Sequence, residues 1–468
     1  MSRFDYSDQL FENVPTDEPV VVAVSGGSDS MALLLLAHSW AQKHDVELHA
    51  VTIDHGLRAE AAAEAAYVAG ICARMNLQHT VLAWDGMKPS FGIQEAARLN
   101  RYALMDDYAH EVGAGTILTG HTADDQAETV LMRAERRRED GESDGRGLAG
   151  MAGVTGLFGG TKVVRPLLHV SRNALRDFLS RHGQAWIEDP SNHDESFERV
   201  RLRQRLAAAP GERERLLALA AASAGLRRAL SLSAAQFLAR HATVRPGPVI
   251  ALRPPRSRAG ESRNPVLALA LQTLVALAGG GRHFVARHRF EPLWQAMDDL
   301  AAGRLEREFS ITLGGAQILC RPAGGKRGGA GGTELLLLRE RRNLSSLLLD
   351  PGEAAVWDGR LQLFNGTDGP VFVEPADRRQ ISEFETERGG KFAVAPRRAL
   401  LSTPLVHVQR RDGTAEPILP LVENGNLPRG LEARLASVAI EHFCPQWDFA
   451  LRDWVRSLDN HASASLQP

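Results

Sequence analysis

The N-terminal half of the chain alternates short apolar runs with longer segments of helical period. Glycine, serine or aspartate stands at the junctions. Residues 20–24 (VVVAV) are a β-branched strand run, followed by Ser25-Gly26-Gly27-Ser28-Asp29-Ser30 and then by MALLLLAHSWAQ, an apolar stretch with helical propensity. The pattern recurs, with strands expected at 47–54, 79–84, 116–119 and 162–166. Helices are expected at 60–76, 92–113, from about 122, and over 171–182 behind Ser171 as N-cap. Strands alternating with helices predict an α/β fold with a doubly wound parallel sheet. From 211 to about 300, alanine- and leucine-rich segments broken by Pro246, Pro248, Pro254 and three glycines at 279–281 read as a helical domain. The run 324–332 (GGKRGGAGG) reads as a flexible link. Beyond Leu344, β-like runs at 361–364 and 371–373 between glycine and proline turns suggest a small α+β C-terminal domain. The expected division is 1–207, 208–310 (helical), 311–343 (linker) and 344–468 (α+β).

The first turn carries the clearest chemistry. Two adjacent glycines remove the Cβ atoms that keep an anion from the backbone, and the helix that follows points its positive end at the same place. Ser25, Ser28 and Ser30 add hydroxyl groups, so the loop is a phosphate cradle. The lysine of a G-x-x-x-x-G-K-[ST] loop is missing, and Asp29 puts a carboxylate there instead, which calls for a divalent cation between it and the phosphates. The segment resembles the PP-loop of the ATP pyrophosphatase superfamily, whose members split ATP between the α- and β-phosphates and adenylate a substrate.

Three more stretches bear functional groups. Asp54 and His55 end the strand at 47–54, where the ligand crevice of a parallel sheet lies, and Asp54 reads equally as a loop cap. In the helix at 92–113, Glu95, Arg98 and Tyr102 share a face with Arg101 beside them; the arginines suit phosphate, and Glu95/Arg98 also reads as a surface pair. After 116–119 comes GHTADDQAET, which crowds His121, Asp124, Asp125 and Glu128 into the start of a helix. A capping box of Thr122 with Asp125 explains part of this, but not a histidine with three carboxylates. Arg199, Arg201, Arg203 and Arg205 would fan around a helix, as suits a curved phosphate backbone; a solvated linker helix is the other reading.

Four motifs in one order, SGGSDS, EAARLNRY at 95–102, GHTADDQAETVLMR and DPSNHDESFERVRLR at 189–203, resemble the tRNA(Ile)-lysidine synthetase family. The resemblance implies an adenine nucleotide alpha hydrolase-like PP-loop core. It also implies a reaction in which ATP and free L-lysine convert the wobble cytidine of a CAU-anticodon isoleucine tRNA to lysidine, through an adenylated cytidine, with release of AMP and pyrophosphate. On it, Asp29, Asp125, Glu128, His121 and Arg98 are the catalytic candidates. Ser25, Gly26, Gly27, Ser28, Asp29, Ser30, Asp54 and His55 would bind ATP, and Asp29, Asp124 and Asp125 would hold Mg2+. Arg101, Arg133, Arg199, Arg201, Arg203 and Arg205 would meet tRNA. Where the family has a short Arg-Gly-Ser/Thr-Gly loop before G-L-x-G-M, this chain inserts a charged segment at 134–147, read as a mobile loop, which leaves that loop's contacts open. The alternative is another PP-loop ATP-dependent enzyme, modifying tRNA or adenylating a small molecule; a nucleotide-binding protein without catalysis is the non-enzyme reading.

Composition narrows this further. The net charge of −2 hides an excess at 165–258, with 17 arginines against 8 acidic residues, the footprint of a phosphate-rich partner or of solvated helix faces. Cys72, Cys320 and Cys444 are scattered, without C-x-x-C, which disfavours a disulfide framework, a thiolate metal site and cysteine-dependent tRNA thiolation. No apolar run reaches the length of a bilayer span, and acids stand where a signal peptide would be apolar, so a cytoplasmic enzyme with no membrane partner is expected. A homodimer is compatible with the chain, whose sequence leaves the oligomeric state open.

Overall fold

The computed structural model describes residues 7–56, 61–85, 88–89, 92–140, 146–188, 198–245, 249–255, 263–304, 308–323, 332–387, 397–409, 415–419 and 427–464. They form two compact units, Met1–Arg227 with Phe443–Trp447, and Arg228–His442 with Asp448–Pro468. This differs from the four-part division read from composition. The expected boundary at 207/208 moves to 227/228, within one long helix.

The first unit alternates strand and helix as its pattern predicts. After α1 (Ser7–Leu10) come β1 (Val20–Ala23), α2 (Ser28–His44), β2 (Leu48–Asp54), α3 (Ala61–Arg74), β3 (Gln78–Ala83), α4 (Ile93–Glu111), β4 (Thr116–Leu118) and α5 (Ala123–Asp140). A 3-10 turn, Arg146–Ala149, leads to β5 (Val154–Gly156), β6 (Lys162–Val164), α6 (Arg172–Arg181), α7 (Glu198–Ala207) and α8 (Glu212–His241). In the sheet, β3, β2, β1, β4 and β6 lie side by side and parallel; β5 runs antiparallel beyond β6. The valines of β1 are fully buried because helices cover both faces, which is why the strand reads as one apolar run rather than an alternation. Val21 packs with Val51, Ile117 and Val163 against Tyr102, Met105 and Ala109 of α4. The chain leaves β1 toward β2 and β3 on one side, while β4 and β6 fill the other. The C-terminal ends of β1 and β4 therefore flank a topological switch point, where doubly wound sheets hold ligands.

Two expectations change here. The charged insertion at 134–147 is not a loop throughout: α5 continues to Asp140, with Glu135 paired to Arg205 and Arg136 to Glu198. Residues 141–145 fall outside the described residues, as does the turn at 189–192. Helix α8 has the length and apolar composition of a membrane span, contrary to the sequence reading. Arg227 and Arg228 stand at its centre, however, where each arginine would cost about 2.5–3.5 kcal/mol in a bilayer. Arg227 instead lies over the Trp447 ring at 5.3 Å and donates to the Arg146 carbonyl.

The second unit is richer in sheet than expected. Strands β7 (Ala242–Arg245) and β8 (Val249–Leu252) interrupt the expected helical segment before α9 (Pro265–Gly279) and α10 (Glu291–Ala301). The expected linker is β9 (Phe309–Leu313), β10 (Ala316–Pro322) and β11 (Thr333–Arg339), completing an antiparallel sheet in the order β7-β8-β11-β10-β9. Strand β11 is unreadable from the sequence because Leu335 and Leu337 pack into one core and Leu336 and Leu338 into another, so no alternation marks it. The flexible link read at 324–332 lies, up to residue 331, outside the described residues.

Next come β12 (Leu347–Leu349), β13 (Ala354–Trp357), β14 (Leu361–Asn365), β15 (Val371–Pro375), α11 (Arg378–Glu387), α12 (Arg397–Leu400), β16 (Pro404–Gln409), β17 (Ala415–Ile418) and β18 (Leu431–Leu435). They build a four-stranded sheet, β12-β15-β16-β17, and a three-stranded one, β13-β14-β18. Helix α13 (Val438–Glu441) precedes β19 (Cys444–Pro445), which pairs antiparallel with β5 in the first unit's sheet, and α14 (Phe449–Ala464) ends the chain.

Candidate active site

Beyond β1 the chain turns through Ser25, Gly26 and Gly27 into α2, with Gly27 as N-cap. Gly26 has φ +86°, and a Cβ there would lie 2.7 Å from Ile187 Cδ1. The Ile187 amide donates to the Gly26 carbonyl at 2.9 Å, so the chain leaving α6 braces the loop from outside. Gly26→Ala is therefore expected to cost about 1–3 kcal/mol through the forced left-handed backbone, seen as a lower denaturation midpoint together with weaker ATP binding.

The first intrahelical bond of α2 runs from Met31 N–H to the Gly27 carbonyl. The amides of Ser28, Asp29 and Ser30 thus have no acceptor within the helix and form the donor set of the cradle. The hydroxyls are employed differently from the sequence reading. Ser30 Oγ donates to the Gly27 carbonyl at 3.0 Å and accepts the Ser25 amide at 3.2 Å, while Ser28 Oγ donates to Asp29 Oδ1 at 3.1 Å. Ser30 is a staple of the loop.

Across the switch point, Gly120 follows β4 closely enough to α2 that a Cβ would lie 3.0 Å from the Asp29 carbonyl. This contact sets the second motif against the first. The capping-box reading is seen in Asp125, whose second oxygen is free of the cap and turns to an arginine. Asp125 Oδ2 accepts the Thr122 amide at 2.9 Å and the Thr122 hydroxyl at 2.7 Å, closing the cap of α5, while its Oδ1 accepts from Arg172 at 2.9 Å.

Arg172, the first residue of α6, is the hub that sequence reading missed. Its Nε donates to Asp29 Oδ2 at 2.9 Å, its Nη1 lies 3.7 Å from Glu128 Oε1, and its backbone N–H donates to Asp124 Oδ2 at 2.7 Å. It is 143 residues from Asp29 and 47 from Asp125, so no local pattern joins them. The only clue is its position after the Ser171 cap, whose Oγ accepts from the Ala174 amide. Arg203 Nε donates to Glu128 Oε1 at 2.9 Å, and Arg213 lies 3.5 Å from Asp124.

The electrostatics separate the acids. Burial raises Asp29 against the pull of Arg172, and burial raises Glu128 against the pull of Arg203. Burial also pushes Asp125 upward, but Arg172 and the two Thr122 hydrogen bonds outweigh it and hold Asp125 below the usual range. His121 is pushed down to about 3, first by burial and then by Arg165, Arg101 and Arg98. It is neutral at pH 7 and a weak base.

Asp29 offers hard oxygens at the phosphate loop, which fits Mg2+ that takes its other ligands from phosphate and water. The expected trio of Asp29, Asp124 and Asp125 is not a preassembled cage. Among the described residues no three His, Cys, Asp or Glu side chains are gathered for a metal, and Arg172 stands between Asp29 and Asp125.

These groups line a cleft of about 1330 Å³ that also takes in His55, Arg101, Arg199 and Arg203. Other candidates are placed elsewhere or otherwise engaged. Asp54 accepts the Gly56 amide at 2.7 Å, the loop-cap reading, while His55 leaves a buried Nδ1 without a partner and meets Trp84 edge-on. Arg98 lies over the Tyr102 ring at 5.6 Å. Arg133 donates from Nη1 to the carbonyls of Gly147 and Gly150, which fastens that turn to α5. Arg205 is exposed and bonded to Glu135, and Arg201 is exposed on the same helix, while half-buried Arg203 and exposed Arg199 border the cleft.

Residues 4–209 match the family model of a PP-loop domain. Over 461 residues the chain is 39% identical to the tRNA(Ile)-lysidine synthase of Mesorhizobium japonicum, covering 95% of this chain and 93% of that one. It is 36% identical over 455 residues to the tRNA(Ile)-lysidine synthase of Brucella suis, covering 96% of each. Among solved structures, the U34-tRNA thiolase NcsA of Methanococcus maripaludis superposes with a TM-score of 0.39 at 13% identity, over 47% of this chain and 78% of that one.

Proposed function

The chain belongs to the tRNA(Ile)-lysidine synthase family and is a PP-loop ATP-dependent ligase, and from that premise we propose how its cleft handles ATP, lysine and the wobble cytidine. The observation that carries the proposal is the guanidinium of Arg172 seated among Asp29, Asp125 and Glu128. Three carboxylates converge on this one guanidinium, so the cluster is acidic enough to take the ε-ammonium of free lysine as a further cation.

ATP lies with its phosphates on the amides of residues 28–30, and its adenosine reaches His55, whose buried Nδ1 lacks a partner. Asp29 would hold Mg2+, which would supply charge neutralisation for the leaving pyrophosphate. The cytosine O2 attacks the α-phosphorus, the bond to the bridging oxygen breaks, and pyrophosphate departs. Asp29→Asn is expected to slow AMP formation by about 10²-fold, in steady-state assays across a Mg2+ series; wild-type rates at every Mg2+ concentration would remove Asp29 from this role.

Lysine then attacks C2 of the adenylated base. The ε-ammonium first gives a proton to a carboxylate, the neutral amine forms the new C2–N bond, the C2–O2 bond breaks so that AMP leaves with the oxygen, and a second N–H proton is lost to solvent. Asp125, held low, suits an ammonium anchor; Glu128, raised by burial, suits the proton acceptor; His121, brought down to about 3, is a poorer base than Glu128. The cytidine of an anticodon loop is unpaired and can be splayed into the cleft without breaking a base pair. Arg101, Arg199 and Arg203 line the route and meet its phosphates, and the second unit carries further tRNA contacts. The oligomeric state is read as either monomer or homodimer, and light scattering distinguishes them.

The test is transfer of radiolabelled lysine to a CAU-anticodon isoleucine tRNA transcript with ATP and Mg2+. Label in the RNA with AMP release, lost when the wobble cytidine is replaced by uridine, is the expected result. AMP release without labelled RNA would sink the lysine assignment.

A further inference from the structure

Outside the cleft, the second unit gathers a different set of charges. Glu334 on β11 is 3% exposed, and arginines from three neighbouring strand regions donate to it. Arg321, directly opposite on β10, places Nε 3.0 Å and Nη2 2.8 Å from Oε2. Arg253, just past β8, places Nε 2.9 Å from Oε1, and Arg245, at the end of β7, places Nη2 2.7 Å from the same oxygen. Burial pushes the carboxyl up, but the three arginines outweigh it and bring it to about 2, so it stays ionised through the working range.

One negative charge therefore organises three positive ones. Fastening strands together needs no such excess, since a single bidentate arginine satisfies a buried carboxylate. Three guanidinium groups bring more N–H donors than Glu334 can accept, and their mutual repulsion is only partly cancelled. The surplus faces outward, because the arginine side chains are 30%, 62% and 39% exposed for Arg245, Arg253 and Arg321 while the glutamate is sealed beneath them. Held planar forks with a net positive charge match the anionic oxygens of a phosphodiester. The substrate of this enzyme is a polyanion whose backbone supplies that group.

We propose that Arg245, Arg253 and Arg321, organised by Glu334, form a clamp for the phosphate backbone of the tRNA substrate on the five-stranded sheet of the second unit. Its role is to position the RNA, with no reading of sequence. The proposal rests on tRNA being the substrate, and the test separates the two. The full-length enzyme, R253Q, R321Q and R253K are titrated with CAU-anticodon isoleucine tRNA over a KCl series, with thermal unfolding and the KM for ATP as controls of folding. R253Q leaves two arginines on Glu334, and R253K keeps the charge.

For R253Q and R321Q, the slope of log affinity against log salt is expected to become shallower by roughly 0.7–0.9 for each phosphate that the variant no longer neutralises. The KM for tRNA should rise with the KM for ATP unmoved, and R253K should keep the wild-type slope. Wild-type salt slopes in both R253Q and R321Q overturn the clamp while leaving the ligase reading intact. A wild-type enzyme that neither binds nor modifies this tRNA overturns both.

Discussion

Glu128→Gln is expected to slow lysine transfer by about 10²–10⁴-fold, the usual weight of a positioned general base, while pyrophosphate release from ATP and tRNA continues and adenylated RNA accumulates. Glutamine keeps the shape and the acceptor oxygen for Arg203 but cannot take the proton. The pH profile carries a second signature. Burial holds the Glu128 carboxyl above the ordinary glutamate range. The acid limb of lysine transfer should therefore fall as pH drops through a value higher than that of a free glutamate, and E128Q should lose this limb. Pyrophosphate release and lysine incorporation are followed separately in single-turnover experiments between pH 5 and 8. Equal slowing of both steps would move Glu128 from proton transfer to nucleotide binding, and a limb retained in E128Q would pass the base role to Asp125.

Arg172→Ala is expected to destabilise the protein by about 3–5 kcal/mol, as when one partner of a buried charge network is removed. Arg172 is 15% exposed and its partners Asp29 and Asp125 are 18% and 22% exposed, so little solvent screening softens the loss. Without it Asp29 and Glu128, already raised by burial, lose a cation that favours their charged forms. Their folded pKa values then rise further above the unfolded ones, so the folded state binds more protons as pH falls and the penalty shrinks. The deficit should be largest near pH 7 and narrow toward pH 5 in denaturant titrations of both proteins. A deficit independent of pH would mean that Arg172 acts by packing. The same variant should bind Mn2+, as a probe for Mg2+, more tightly than wild type in the absence of nucleotide, because the acids lose their internal counter-ion.

The two predictions differ in how far their residues were legible. Glu128 stands in a continuous stretch with His121, Asp124 and Asp125, and helical spacing alone puts these groups at the start of α5. The phosphate loop is equally local: Gly26 requires φ +86° and Gly27 caps α2 within a few residues of one another. The division of labour between Asp125 and Glu128 was not legible, because it comes from a Thr122 cap on one acid and from burial of the other.

Local patterning therefore determined the strand–turn–helix repeats of the first unit, its parallel sheet, the glycine loop after β1 and the acid-rich start of α5, because each is an interaction among residues close in the chain. Tertiary structure alone decided what lies far apart in sequence. It brought Arg172 to Asp29 across 143 residues, braced Gly26 with Ile187, and engaged Arg133 with the Gly147–Gly150 turn. It also made strands of the leucine-rich segment at 333–339, which has cores on both faces and shows no period. Hydrophobic period reports burial on one face of one element, whereas charge pairing and burial on two faces depend on which elements meet.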